Sequence, residues 1–116
     1  MLSDADLIIK IDELMEQLDK SLDDVLAAGL RRSQADAEYQ VLKRKEALKQ
    51  KSEGVSVTLI DKFISGVEEI AIAKQKRDNA EVIENTIKER INALKLELRL
   101  LNDQAGREWS VRSSDY

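Results

Sequence analysis

Residues 7–18 read LIIKIDELMEQL, a stretch in which an apolar residue recurs at alternating spacings of four and three. The pattern continues to Leu42 and returns between Ala73 and Ala105. These spacings place the side chains along one stripe of an α-helix, called the seam below, which is buried against a partner helix. The chain supplies two such helices. The seam residues expected to form the core are Leu7, Ile11, Leu14, Leu18, Ile87, Ile91, Leu94, Leu98 and Leu101.

The first predicted helix spans about residues 4–52, with Ser3 or Asp4 as its N-cap. Gly29 lies in its middle, where a glycine costs about 1 kcal/mol relative to alanine. The seam passes Gly29 without a change of register, and neither a proline nor a turn cluster follows it. A continuous helix is therefore predicted, and a kink near Gly29 is the main alternative.

A short connection follows the first helix. Gly54 suits the left-handed position just after a helix. Residues 55–66, the tip segment, contain a short helix and six apolar residues, which we expect to fold back onto the end of the helix pair: Val55, Val57, Leu59, Ile60, Phe63 and Ile64. The last helix is predicted over about residues 67–109, with a frayed tail over residues 110–116.

Two long helices joined by a short connection predict an all-α fold, a single domain of residues 1–116 built as a long antiparallel, coiled-coil-like helical hairpin. Charge supports this orientation, because residues 1–28 hold eight acids and two lysines and would lie beside residues 88–112, where six bases outnumber four acids. Apolar residues also lie beside the seam, which predicts a third covering helix, either the tip segment or a second molecule in a four-helix bundle. They are Ile8, Ile9, Ile83, Leu96 and Leu100.

The composition excludes several chemistries. Of 116 residues none is cysteine, histidine or proline, so neither disulfides nor thiol catalysis are possible and a zinc site would need carboxylates alone. No glycine-rich phosphate loop or EF-hand spacing occurs. We therefore expect no catalytic residues, no cofactor, no metal and no small-molecule substrate. The acidic N-terminus and the absence of a long apolar run predict a protein of the cytoplasm without a membrane partner.

A basic region near the connection is a candidate contact site. Residues 29–52 hold seven bases and three acids, and further bases follow the tip segment. Such a surface suits phosphate backbones, although a solvated surface of mixed charge is the more common outcome. The candidate nucleic-acid or partner contacts are Lys43, Arg44, Lys45, Lys49, Lys74, Lys76 and Arg77.

Three charged residues occupy seam positions: Arg32, Arg77 and Glu84. Polar seam residues commonly fix the register or the oligomeric state of paired helices. If the first helix is continuous, Glu84 comes within reach of Arg32 or Tyr39. We expect a pair of this kind to serve specificity rather than catalysis.

Three stretches carry a resemblance to a known class of proteins: VSVTLI over residues 55–60, GVEEIA over 66–71 with KRDNAE over 76–81, and INALKLELRLL over 91–101 with Arg107-Glu108-Trp109. The sequence over about residues 38–109 resembles small helical proteins encoded by bacteriophages and prophages of Gram-positive bacteria. Ser56 stands where these proteins usually have a proline. The resemblance implies a phage accessory protein in a bacterial host cell, encoded near early DNA-metabolism genes, and transfers no catalytic residue.

These observations predict a non-enzymatic interaction module or modulator, within phage DNA replication or recombination. A protein partner and self-association as a dimer are expected. One alternative is a nucleic-acid-binding accessory factor that uses the basic region. Another is a structural or chaperone-like protein of virion assembly.

Overall fold

The computed structural model describes residues 3–114, with side chains through residue 110. This part of the chain contains three α-helices and no strand: α1 Asp4–Ser52, α2 Val57–Ser65 and α3 Glu68–Ser114. The predicted all-α class is therefore confirmed. Contacts divide the chain into two compact units. Unit 1 is Met1–Val25 with Thr86–Tyr116, and unit 2 is Leu26–Asn85.

Helix α1 begins at a side-chain cap. The backbone N–H of Asp6 donates to Ser3 Oγ at 3.1 Å, and the Ser3 hydroxyl donates to Asp6 Oδ2 at 2.7 Å. One of the N–H groups that a helix start leaves without a backbone partner is thus satisfied. Asp4 and Asp6 also lie in the first turn, where the helix dipole favours negative charge. The prediction of Ser3 as N-cap is confirmed.

Helix α1 continues through Gly29 without interruption. A Cβ atom at Gly29 would lie 3.4 Å from Glu84 Oε2. The glycine thus lies within a helix, at a point where a buried carboxylate approaches the backbone closely. At that distance the contact would be an ordinary van der Waals contact, so alanine, which helix propensity favours, also fits at this position.

Helix α1 ends in a Schellman motif around Gly54. Gly54 has φ +84°, its N–H donates to Lys51 O at 3.2 Å, and Val55 N–H donates to Gln50 O at 3.0 Å. These two bonds satisfy carbonyl groups that the helix end would otherwise leave unpaired. The left-handed conformation predicted for Gly54 is confirmed.

The predicted packing of the tip segment is correct for three of its six apolar residues. Ile60 and Ile64 of α2 are buried against Tyr39, Ile70 and Ala73, and Val55 packs at the edge of this cluster. Three other apolar residues of the segment are exposed instead: Val57, Leu59 and Phe63. A helix of nine residues offers one face to the core, so residues four apart are buried and those between them face solvent.

In unit 1 the core lies on the seam. Leu7, Leu14, Ile91, Leu94 and Leu98 are buried. The remaining predicted core positions are half-buried: Ile11, Leu18, Ile87 and Leu101. Leu14 packs against Leu94 and Leu98, and Asp24 Oδ2 lies 3.8 Å from Arg90 Nη1, so α1 and α3 run antiparallel here.

In unit 2 the two helices are also antiparallel. Tyr39 clusters with Ala73, whereas the earlier Arg32 meets the later Glu84. Two buried seam positions of α1 in this unit are alanines, Ala28 and Ala35.

The C-terminal boundary of the last helix was predicted wrongly. Helix α3 starts at Glu68 and runs to Ser114, five residues past the predicted end at residue 109. Residues 110–114 are therefore helical, and residues 115–116 of the predicted tail lie outside the described residues. No proline or glycine follows Gly106, and one interior glycine costs only about 1 kcal/mol, so nothing in this stretch ends the helix.

Candidate functional site

A groove of about 540 Å³ runs between α1 and α3 in unit 2. Helix α1 contributes Arg31, Gln34 and Ala35. Helix α3 contributes the other lining residues, which are Ile72, Gln75, Lys76, Asn79, Ala80 and Ile83. All of them belong to one unit, so the groove is a feature of unit 2 itself.

The groove exists because small side chains occupy the seam at this level. Ala35 is buried and Ala80 half-buried, and alanines here fill less volume than the leucines of unit 1. Ile72 and Ile83 stand beside them with 57% and 54% of their surface exposed. Two large apolar residues flanking a floor of alanines form a concave surface that water solvates poorly.

The rim of the groove is polar and basic. Lys76 Nζ donates to Glu38 Oε2 at 3.2 Å, an exposed pair of the kind that contributes little to stability. Arg31 is exposed, and among the described residues no carboxylate lies within ion-pair distance of it. Three amides complete the rim: Gln34, Gln75 and Asn79. An apolar floor with a rim of donors suits a helix that has acidic residues beside its apolar face.

The predicted polar seam pair is confirmed. Arg32 Nε donates to Glu84 Oε2 at 2.6 Å. Glu84 is only 5% exposed, whereas the Arg32 side chain is 41% exposed. The hydrogen bond to Glu84, followed by the charge of Glu84, raises the pKa of the Arg32 guanidinium above its ordinary value. This arrangement holds a buried charge in the seam, and the charges of Glu81 and Asp36 also act on Arg32.

Arg77 is held in place by several groups. Its Nη2 lies 2.9 Å and its Nε 3.1 Å from Asp78 Oδ1, and its guanidinium carbon lies 4.5 Å from the centroid of the Tyr39 ring. Oδ1 of Asp36, on α1, lies 3.8 Å from Nη1 of Arg77. The hydrogen bond to Asp78 raises the pKa of Arg77. Arg77 is therefore engaged within the protein and is a poor candidate for a phosphate contact.

The remaining predicted contact residues are spread over two helices. Arg44, Lys45 and Lys49 are exposed on α1, and among the described residues none has a carboxylate within ion-pair distance. The structure brings together Lys43 of α1 and Lys74 of α3, which line a cleft of about 450 Å³ with Tyr39 and Asp61. Lys43 Nζ also lies 5.8 Å from the centroid of the Tyr39 ring.

Sequence reasoning missed two features of unit 2. Gln34, Gln75 and Asn79 at the groove rim carry no sequence signal, because exposed amides on helices are common. Gln50 is 93% buried; its Nε2 donates to Glu46 Oε1 at 3.1 Å, whereas its Oε1 has no hydrogen-bond partner among the described residues. The groove had an indirect signal, the alanines at seam positions next to off-seam isoleucines.

In the part of the chain that the structure describes, no group of three or more acidic, histidine or cysteine side chains is placed to hold a metal ion. Across residues 3–114, no helix has both the length and the apolar character needed to cross a membrane. Scans of known protein families, curated proteins and solved structures return no match to the chain.

Proposed function

We propose that this protein is a non-enzymatic helical interaction module, and that it acts by docking a partner helix in the groove of unit 2. The observation that carries the proposal is the groove itself, in which Ile72 and Ile83 are more than half exposed beside a floor of alanines. Helix-in-groove docking recognises apolar side chains at spacings of three, four and seven residues.

The dimensions and chemistry of the groove support this mode of binding. Ile72 and Ile83 lie eleven residues apart on one helix, a distance of about 16 Å that corresponds to three turns of a docked helix. The polar rim provides donors at the edge of the apolar floor, which is the arrangement of a typical interface. The nine residues that line the groove include no carboxylate, and the amine of Lys76 donates to Glu38.

The setting is proposed from the resemblance to small helical proteins of bacteriophages and prophages. In this setting the module acts in the cytoplasm of a bacterial host, as an adaptor or modulator of phage DNA replication or recombination. The partner is then a host or phage protein, or a second copy of the chain.

A second candidate function is nucleic-acid binding through Arg44, Lys45, Lys49 and Lys74. It is favoured by one observation, that these exposed bases have no carboxylate within ion-pair distance among the described residues. Replacing all four with serine should lower DNA affinity and flatten its dependence on salt. If the salt dependence is unchanged, these residues do not contact phosphates.

The primary proposal is tested by affinity capture from phage-infected host lysate, before and after nuclease treatment. The parent protein is compared with Ile72→Glu/Ile83→Glu, which places two charges along the α3 wall of the groove. Leu96→Glu/Leu100→Glu is the matched control, since it adds the same charge at two exposed apolar positions of the same helix.

The proposal expects one protein to be retained after nuclease, by the parent and the control but not by the groove variant. Capture that is equal for all three proteins, or capture only of nuclease-sensitive material, would contradict it. Circular dichroism confirms that each variant remains helical.

A further inference from the structure

A second apolar surface lies on α1 in unit 1, outside the seam. Ile8, Met15 and Leu22 follow one another at intervals of seven residues and are each about half exposed, at 50%, 47% and 45%. Residues seven apart occupy nearly the same angle on a helix, so the three side chains form one row, called the α1 stripe below. This row does not belong to the core of unit 1, which is formed by the neighbouring seam residues.

Acidic residues border the α1 stripe on its solvent side. Asp12 and Asp19 each follow a stripe residue by four positions, and Asp23 follows Asp19 by four. All three are exposed. The stripe therefore resembles an amphipathic helix whose apolar row is flanked by carboxylates, within a segment of eight acids and two lysines.

The groove of unit 2 has the complementary properties. Its rim contains the cations Arg31 and Lys76, and none of its nine lining residues is acidic. Residues 29–52, which include the α1 wall, hold seven bases and three acids. The α1 stripe is about 21 Å long and the isoleucines of the groove are about 16 Å apart, so two or three stripe residues match the length of the groove.

We propose that the occupant of the groove is a second copy of this chain, whose α1 stripe lies between Ile72 and Ile83. This rests on the proposed function, in which the groove docks a helix. The inserted residues are Ile8, Met15 and Leu22, and Asp12 and Asp19 approach the basic rim. Opposite charges on the two surfaces give the interface its specificity and accelerate the encounter.

The proposal is tested by sedimentation velocity at concentrations on the order of 100 μM. The stripe variant is Met15→Ser/Leu22→Ser, and the groove variant is Ile72→Glu/Ile83→Glu. Leu96→Ser/Leu100→Ser serves as the control for loss of exposed leucines outside both surfaces. Circular dichroism establishes that all variants fold.

The parent and the control should self-associate, and each single-surface variant should associate at least about tenfold more weakly, since each loses the burial of large apolar side chains. Mixing the stripe variant with the groove variant should restore association as a 1:1 complex. This is because the stripe variant retains an intact groove and the groove variant retains an intact α1 stripe.

Three outcomes would overturn the proposal. They are a monomeric parent, a variant that associates as strongly as the parent, and a mixture of the two variants that stays monomeric. A monomeric parent that still captures a protein through Ile72 and Ile83 leaves the proposed function standing and removes only the second copy as occupant. A self-associating parent that captures nothing from lysate supports the second copy as occupant and removes a separate host or phage protein as the partner.

Discussion

The Nε atom of Arg32 lies 2.6 Å from Oε2 of Glu84, and the Glu84 carboxylate is almost fully buried next to the backbone of Gly29. The pair joins α1 to α3 within unit 2. Removing the ion-pair partner of a buried charge is strongly destabilising, whereas an apolar replacement of both partners is often neutral or stabilising.

Arg32→Met should destabilise the protein, because it removes the ion pair that Arg32 forms with the buried Glu84 carboxylate. The double variant Arg32→Met/Glu84→Met should be at least as stable as the parent. Urea denaturation of the parent, both single variants and the double variant measures the coupling. A double variant that is less stable than Arg32→Met would show that the pair stabilises the fold on balance.

The same pair predicts how stability depends on pH. Folding raises the pKa of Arg32, because Glu84 accepts its hydrogen bond and carries the opposite charge. A group with a raised folded pKa contributes stability below its unfolded pKa and loses it only as pH rises through the folded value. The difference in stability between the parent and the double variant should therefore stay constant between about pH 7 and pH 10. A steady decline of this stability difference over the same pH range would contradict the raised pKa of Arg32.

Replacing Gly54 and Gly106 with alanine should change the unfolding free energy in opposite directions. Gly54→Ala should cost about 1 kcal/mol of unfolding free energy, since a φ of +84° is unfavourable for a residue with a Cβ atom. Gly106→Ala should stabilise by about 0.5–1 kcal/mol, because a Cβ there meets nothing within 4 Å. Gly29→Ala should gain less, since its Cβ would touch Glu84. Thermal unfolding of the three variants orders them directly.

Leu14→Ala should lower the unfolding free energy by about 2–5 kcal/mol. Its side chain is fully buried against Leu94 and Leu98 in unit 1. Leu30→Ala is the matched control, because it makes the same change in the same helix at a residue that is 65% exposed. Chemical denaturation should show almost no effect for the control. Equal losses at the two positions would be inconsistent with a core on the seam.

Gln50→Met should stabilise the protein by about 1 kcal/mol. The buried Oε1 of Gln50 has no hydrogen-bond partner among the described residues, and an unsatisfied buried carbonyl costs about 1–3 kcal/mol. Methionine has a similar shape and removes that group, although the bond from Nε2 to Glu46 is lost. Destabilisation in urea would indicate that Oε1 is satisfied in solution.

The helices and the unit 1 core were predictable because the seam repeats through both long helices. Leu14 and Leu98 lie on it, and the spacing alone assigns them to the buried face. The tip segment was predicted less well, since six apolar residues in twelve do not show which face a short helix will bury. Only the tertiary contact of Ile60 and Ile64 with Tyr39 decides that question.

For the candidate contact residues, the sequence predicts only that a region is rich in bases. A run of bases does not reveal that Arg77 will lie on the Tyr39 ring beside Asp78, or that Lys76 will reach Glu38. These pairings depend on which residues of the opposite helix stand at the same level. The groove also depends on this, because it requires Ala35 and Ala80 to lie between Ile72 and Ile83.

The groove of unit 2 can be tested directly as an interface. Because the chain has no cysteine, a photo-crosslinker attached at Asn79→Cys is placed uniquely in the groove. Asn92→Cys, exposed on the same helix in unit 1, is the matched control. The experiment is done in phage-infected host lysate treated with nuclease. Position 79 should give one strong crosslinked product, formed with a second copy of the chain or with another protein. Position 92 should give little product. Equal labelling at the two positions, or none at position 79, would contradict the assignment of the groove as an interface.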